Sequence, residues 1–169
     1  MTTELYWVKG SWPGRLAIMP RPRGDDWLED EVRSWRQAGV DVVLSLLTPD
    51  EVAELDLTDE EELCRANNIQ FLTFPITDRG VPASREAVLD LVAKLAGYVA
   101  DGKSVAIHCR QGIGRAALIA ACCLVWLGID PERAIEQVGT ARGCTVPETP
   151  EQRRWILEFA RVPRKRLAK

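Results

Sequence analysis

A chain of 169 residues, 46% of them hydrophobic, is long enough for one domain with a full core and too short for two comfortable ones, so residues 1–160 are expected to form a single domain. The net charge of −3 argues against nucleic acid as the main partner. Five cysteines, an odd number without metal-type pairing, fit a reducing compartment better than a disulfide framework. There is no charged segment followed by an apolar stretch at the start, and the longest apolar run, Ala116 to Leu127, is only twelve residues; a monomeric cytoplasmic protein without stable membrane insertion is expected.

Leu5 to Val8 and Arg15 to Met19 read as two short strands separated by the turn residues Gly10, Ser11, Pro13 and Gly14. After the basic loop Arg21 to Gly24, Asp26 and Glu29 look like a capping box for a helix with Leu28, Val32 and Trp35 on one face, ended by Gly39. Val42 to Leu47 is a strand apolar enough to be buried on both faces. Thr48 to Glu51 and Thr58 to Glu61 each spell a helix start, a threonine cap with glutamate three residues on, so the acidic cluster Asp59 to Glu62 reads as a first helical turn rather than a metal site. Gln70 to Phe74 is a further strand, followed by a loop from Pro75 to Pro82 around the carboxylate of Asp78. Ser84 caps a helix whose Val88, Leu91, Val92, Leu95 and Val99 keep the 3.6 period. Then come a strand from Ser104 to His108, a glycine-bearing loop, the buried helix to Leu127, a helix from Asp130 to about Thr140, and a last helix from Thr149 through Phe159. In the tail, residues 161–169, five of nine residues are basic, a pattern that is usually solvated but could meet an acidic partner or a membrane surface.

Strands and helices alternate through the middle of the chain. The expected fold class is therefore α/β, a largely parallel central sheet of about five strands with helices on both faces. In such sheets ligands bind beyond the carboxyl ends of the strands. The loops bearing Cys109 and Asp78 leave the sheet at that edge, which lets segments about 30 residues apart meet over one substrate.

The loop Cys109, Arg110, Gln111, Gly112, Ile113, Gly114, Arg115 joins strand to helix. Its amides and the following helix N-terminus can cradle a phosphate, and Arg115 offers a planar fork of donors for two phosphoryl oxygens. The same groups favour a thiolate at Cys109 over the neutral thiol, placing a nucleophile for phosphoryl transfer. Other readings compete. A free cysteine is usually a small buried hydrophobe, which suits Cys64, Cys122 and Cys123. Gly112, Gly114 and Ala117 also fit a dinucleotide-binding fingerprint, but the second strand with an acidic ribose ligand is missing where Asp130 and Pro131 start a helix. His108, the single histidine, is expected to orient the loop and tune the thiolate.

His108, Cys109, Gly112 and Arg115, spaced as His-Cys-x-x-Gly-x-x-Arg, resemble the signature of the cysteine-dependent protein phosphatases. The segment Phe74 to Pro82 resembles the acid loop of their compact dual-specificity branch, that of the kinase-associated phosphatases and their bacterial relatives. The likeness in motif order runs from about Leu16 to Phe159. It implies Cys109 as nucleophile, Arg115 as phosphate clamp and Asp78 as general acid and then base, with His108 and Gln152 supporting. The substrate implied is a phosphorylated protein, phosphotyrosine and also phosphoserine or phosphothreonine; neither cofactor nor metal is implied. Two positions depart from the family pattern. Ala116 stands where most relatives carry a serine or threonine that helps the thiolate leave, so a slow second step is expected. Glu148 stands where the first of two glutamines is usual, and Gln152 either helps the attacking water or merely caps its helix. Arg21, Arg23, Arg79 and Arg110 keep a phosphoinositide headgroup or inositol phosphate as an alternative substrate, and a weakly active phosphate-binding module is the second alternative.

Overall fold

The computed structural model describes residues 2–161. Five strands, β1 (Tyr6–Val8), β2 (Arg15–Met19), β3 (Val42–Ser45), β4 (Gln70–Thr73) and β5 (Ser104–His108), form one sheet in the order β1-β2-β5-β3-β4. β1 pairs antiparallel with β2, as a tight connection between neighbouring strands allows, and every other pairing is parallel. The helices are α1 (Leu28–Gln37), α2 (Pro49–Glu54), α3 (Glu60–Ala66), α4 (Arg85–Ala100), α5 (Arg115–Trp126), α6 (Pro131–Arg142) and α7 (Pro150–Phe159).

The period-two alternation of the central strands divides the core. Leu16, Ile18, Leu44, Val105 and Ile107 point into a cluster shared with α4, α5, α6 and α7, whereas Ala17, Met19, Val43 and Ala106 point into a smaller one with α1 and α3. Helix α5 is apolar all round because it is covered all round: ten of its twelve residues are buried, against α4, α6, α7, β2 and β5. No helix among the described residues is long and apolar enough to cross a membrane. The basic tail read from the sequence lies, from residue 162 on, outside the described residues.

Two helix starts differ from the sequence expectation. Asp26 does not cap α1; Asp25–Trp27 form a 3-10 turn and no side chain caps the helix that follows. Thr58 is likewise not the cap of α3, whose N-cap is Asp59 without a side-chain bond. The glutamates expected to complete those boxes, Glu29 and Glu61, instead pair one turn on with Arg33 and Arg65. By contrast Thr48 and Glu51 form the complete reciprocal box at α2, and Thr149 and Gln152 do so at α7.

Candidate active site

The parallel strands deliver four loops to one sheet edge, after Met19, Ser45, Thr73 and His108. The loop from Cys109 to Gly114 is built from the last of these. At Gly112 φ is +76°, and a Cβ there would lie 2.7–2.8 Å from the Met19 carbonyl, so the position needs glycine both for its conformation and for the close approach to β2. That turn aims the Gly112 N–H at Cys109 Sγ, 3.3 Å away. Cys109 is buried at the floor of a pocket of about 190 Å³, whose wall includes Arg110, Gln111, Gly114, Arg115 and Asp78. Ile113 turns away to pack against the larger core cluster. Of the residues expected to hold phosphate, five therefore border or shape the pocket and one anchors the loop from behind.

Arg115 is fully buried and ties the surrounding loops together. Its Nη1 donates to the Ile76 carbonyl at 2.8 Å and to Glu51 Oε1 at 2.7 Å; its Nη2 donates to Glu51 Oε2 at 3.0 Å and to Asp78 Oδ1 at 3.0 Å. Burial alone would raise the Glu51 carboxyl, but the Arg115 hydrogen bonds, the Thr48 amide and Arg110 bring it down to about 2. Burial likewise works against the charge on Arg115, and Glu51, Cys109 and Asp78 together outweigh it and hold the guanidinium protonated. Glu51 had been legible only as a capping residue. It also takes Arg110 Nε at 3.3 Å, while Glu54 takes Arg110 Nη2 at 3.3 Å.

Asp78 and Arg79 occupy the central positions of a turn closed by the Gly80 N–H donating to the Thr77 carbonyl at 2.8 Å. Arg79 holds a left-handed φ of +61°, uncommon for a residue with a Cβ. From this turn the Asp78 side chain is half exposed and reaches Arg115, and the two line one pocket with Cys109. Arg79 Nη1 pairs with Glu148 Oε2 at 2.8 Å. Gln152 is fully buried; its Oε1 accepts the Thr149 N–H and its Nε2 donates to the Gly80 carbonyl, each at 3.1 Å, so it caps α7 and grips the acid loop at once.

Beneath the cradle, His108 is completely buried with Nδ1 3.3 Å from the Cys109 carbonyl and Nε2 2.6 Å from Glu60 Oε2. Glu60 is a second residue that the sequence did not single out. Cys64, Cys122 and Cys123 are buried apolar thiols, kept protonated by burial, with Cys123 pushed up to about 12. Cys144 is exposed, and all five cysteines are free.

A family model described as PTP-SAK, Swiss Army Knife protein, DSP-PTPase phosphatase domain, matches residues 4–155. Over 134 residues the chain is 26% identical to cyclin-dependent kinase inhibitor 3 of Rattus norvegicus, covering 78% of this chain and 63% of that protein. The chain thus spans less than two thirds of that relative's length. Among solved structures, kinase associated phosphatase (KAP) with a serine in place of its catalytic site cysteine is similar with a TM-score of 0.84 at 21% identity, covering 99% of this chain and 97% of that one. PTPMT1 in complex with PI(5)P is similar with a TM-score of 0.73 at 22% identity, covering 90% and 92%. At these identities the structural likenesses establish the fold.

Proposed function

The chain belongs to the Swiss Army Knife DSP-PTPase phosphatase domain family, and we propose that it hydrolyses phosphotyrosine, and phosphoserine or phosphothreonine, in proteins through a cysteinyl-phosphate intermediate. The observation that carries this reading is the convergence on one small pocket of Cys109 Sγ, the buried Arg115 and the Asp78 carboxylate.

In the first step the Cys109 thiolate attacks phosphorus and the bond to the leaving oxygen breaks. Asp78 delivers its proton to that oxygen, a contribution of ~10²–10⁴ in rate for a positioned acid. Arg115 and the loop amides hold the equatorial oxygens, so positive charge is present before the reaction begins. Asp78, now ionised, then takes a proton from water as that water attacks phosphorus. The sulfur–phosphorus bond breaks, releasing inorganic phosphate and the thiolate. Gln152 supports this sequence by holding the acid loop through Gly80, with both of its amide atoms already engaged.

The rim charges favour a single phosphoryl group over a highly phosphorylated inositol ring. Arg110 is paired with Glu51 and Glu54, Arg79 with Glu148, and Arg23 with Glu31. The test is stopped-flow release of phenolate from an aryl phosphate by the wild type and Cys109→Ser, followed by comparison of a phosphotyrosine peptide with a phosphoinositide headgroup. Turnover that depends on Cys109 and prefers the peptide supports the reading. Wild-type release no greater than that of Cys109→Ser, with phosphate still bound, would instead identify a binding module.

A further inference from the structure

Of the four arginines that could enlarge a basic rim, three are already matched to carboxylates: Arg23 to Glu31, Arg79 to Glu148, and Arg110 to Glu51 and Glu54. Arg21 is the exception. Among the described residues no carboxylate pairs with it, and its guanidinium donates from Nη1 to the carbonyl of the next residue, Pro22, at 3.1 Å. A carbonyl oxygen accepts that bond without cancelling the charge.

Arg21 stands against the cradle itself. β2 and β5 run parallel with Met19 beside His108, and the pairing carries on past the strand ends, where the Arg21 N–H donates to the Arg110 carbonyl at 3.1 Å. Arg110 directly follows Cys109, so the Arg21 backbone lies one strand spacing, ~5 Å, from the loop that holds the nucleophile. The carboxylates near the pocket come from the other side: Glu51 and Glu54 from α2 after β3, Asp78 from the loop after β4, Glu148 from the start of α7. Asp25 and Asp26, further along the β2 loop, line a separate hollow with Asp56 and Asp59. The entrance is therefore polarised, neutralised on the β3 and β4 side and left positive at Arg21.

The β2 loop is fixed in place. Buried Glu31 accepts the Arg23 N–H at 2.8 Å, and the Asp25 N–H donates to the Asp56 carbonyl at 3.1 Å. Arg142, another arginine at this edge without a carboxylate, is engaged elsewhere: its guanidinium lies 4.2 Å over the Tyr6 ring and donates to the Gln111 carbonyl. One uncompensated cation suits one additional negative group. The same loop ends in Trp27, 55% exposed and the one exposed large apolar side chain among the described residues, a surface that suits a peptide better than a polyphosphorylated ring.

We propose that Arg21 is a specificity-determining residue: it pairs with a glutamate or aspartate within about two residues of the phosphorylated residue in a peptide substrate, at ~3.3 Å of extended chain per residue. This rests on the phosphatase reading above and narrows its substrates to phosphopeptides with an acidic neighbour. The pair forms at a half-exposed rim, so it discriminates by a modest factor and weakens with salt.

Phosphotyrosine peptides that carry glutamate, alanine or lysine at each of the two positions on either side are compared by kcat/KM. At low ionic strength the wild type should favour glutamate over alanine about three- to fivefold at one or more positions, and the preference should vanish by about 1 M salt. Arg21→Gln should erase it, and Arg21→Glu should turn it towards lysine. The ratio is taken within each protein, so a loss common to all peptides cancels from it. Equal use of glutamate and alanine peptides by the wild type, or a preference that survives Arg21→Gln, would overturn the proposal. So would a larger Arg21-dependent gain from a second phosphate on an inositol headgroup than from glutamate. Binding of the same peptides to Cys109→Ser reads the preference without turnover. A preference there, with no turnover by the wild type, removes only the phosphatase reading, whereas turnover without preference removes only the role of Arg21.

Discussion

Glu51 grips Arg115 with both carboxylate oxygens, at 2.7 and 3.0 Å, across 64 positions of sequence. The guanidinium proposed to hold the phosphoryl group is thus oriented from behind by an anion on α2, leaving its Asp78 edge to the pocket. Replacing Glu51 by Gln keeps the capping box of α2, since glutamine fills the same role, and removes only the charge. The buried guanidinium would then lose its main counter-ion. We expect a loss towards the lower end of the roughly 3–5 kcal/mol typical of a broken buried pair, because Asp78 and the Ile76 carbonyl remain. The Glu51 carboxyl lies near 2 in the fold, below its ordinary 4.5, so its contribution is whole above about pH 4.5 and drains away as pH falls towards 2. Denaturant unfolding across that window should show a falling stability in the wild type and a flatter one in Glu51→Gln. Parallel curves would remove the pair from the account.

Asp78 lies within reach of both the clamp and solvent, at the tip of a tight turn. For Asp78→Asn the expected drop in kcat/KM, which covers formation of the cysteinyl phosphate and not its breakdown, is ~10²–10⁴, with a smaller drop for aryl phosphates whose leaving group needs little protonation. The comparison of p-nitrophenyl phosphate with phenyl phosphate measures this. An equal loss on both substrates would mean that Asp78 acts on binding and not on the leaving oxygen.

How far the sequence foretold this site depends on how local each signal is. The cradle was legible because strand, glycines and arginine are contiguous, and the meeting of Asp78 with it followed from parallel topology. Glu51 and Glu60 were not legible as site residues, because each occupies a helix start where glutamate has an adequate local explanation. Their partners, Arg115 and His108, are 64 and 48 residues away. Gln152 shows the same limit: its capping bond was legible in the local pattern, whereas the bond from Nε2 to the Gly80 carbonyl, 72 positions away, was not.

Ala116 directly follows the clamp in the first turn of α5 and is completely buried. With no hydroxyl there to donate to the departing sulfur, breakdown of the cysteinyl phosphate is expected to limit turnover. Stopped-flow should give a burst near one equivalent, and Ala116→Ser should raise the steady phase several-fold with the burst unchanged. A burying hydroxyl costs on the order of 1 kcal/mol where unpaired, a cost that thermal unfolding would register. If the steady phase does not quicken, some step other than thiolate departure is limiting.

Gly112 is the point at which the cradle tolerates least change. Its φ of +76° disfavours any Cβ, and the atoms a Cβ would meet are the backbone of Met19 and Pro20 at 2.7–2.9 Å, which no rotamer change can relieve. Gly112→Ala should lose turnover and phosphate-analogue binding together, since the N–H aimed at Cys109 Sγ moves with the loop. Retention of vanadate inhibition by the variant would show that the cradle can form in another backbone conformation.

The acid loop is held to the start of α7 by two ties of unequal strength. The Arg79–Glu148 pair, at 2.8 Å, involves an arginine side chain 62% exposed, and such surface pairs are typically worth only ~0–1 kcal/mol. The Gln152 bond to the Gly80 carbonyl is buried, and losing it would leave that carbonyl without this donor next to the left-handed Arg79. Gln152→Ala removes the acceptor of the Thr149 N–H and the tie together, leaving the Thr149 hydroxyl cap in place, with an expected cost of ~1–2 kcal/mol in stability. Gln152→Glu separates them: the carboxylate still accepts the Thr149 N–H but cannot donate to Gly80, and places negative charge against its oxygen. If the tie positions Asp78, Gln152→Glu should lower kcat about tenfold while KM changes little, with the unfolding midpoint falling at least as far as in Gln152→Ala because the new charge is buried. A Gln152→Glu enzyme with wild-type kcat would leave Gln152 as a cap alone.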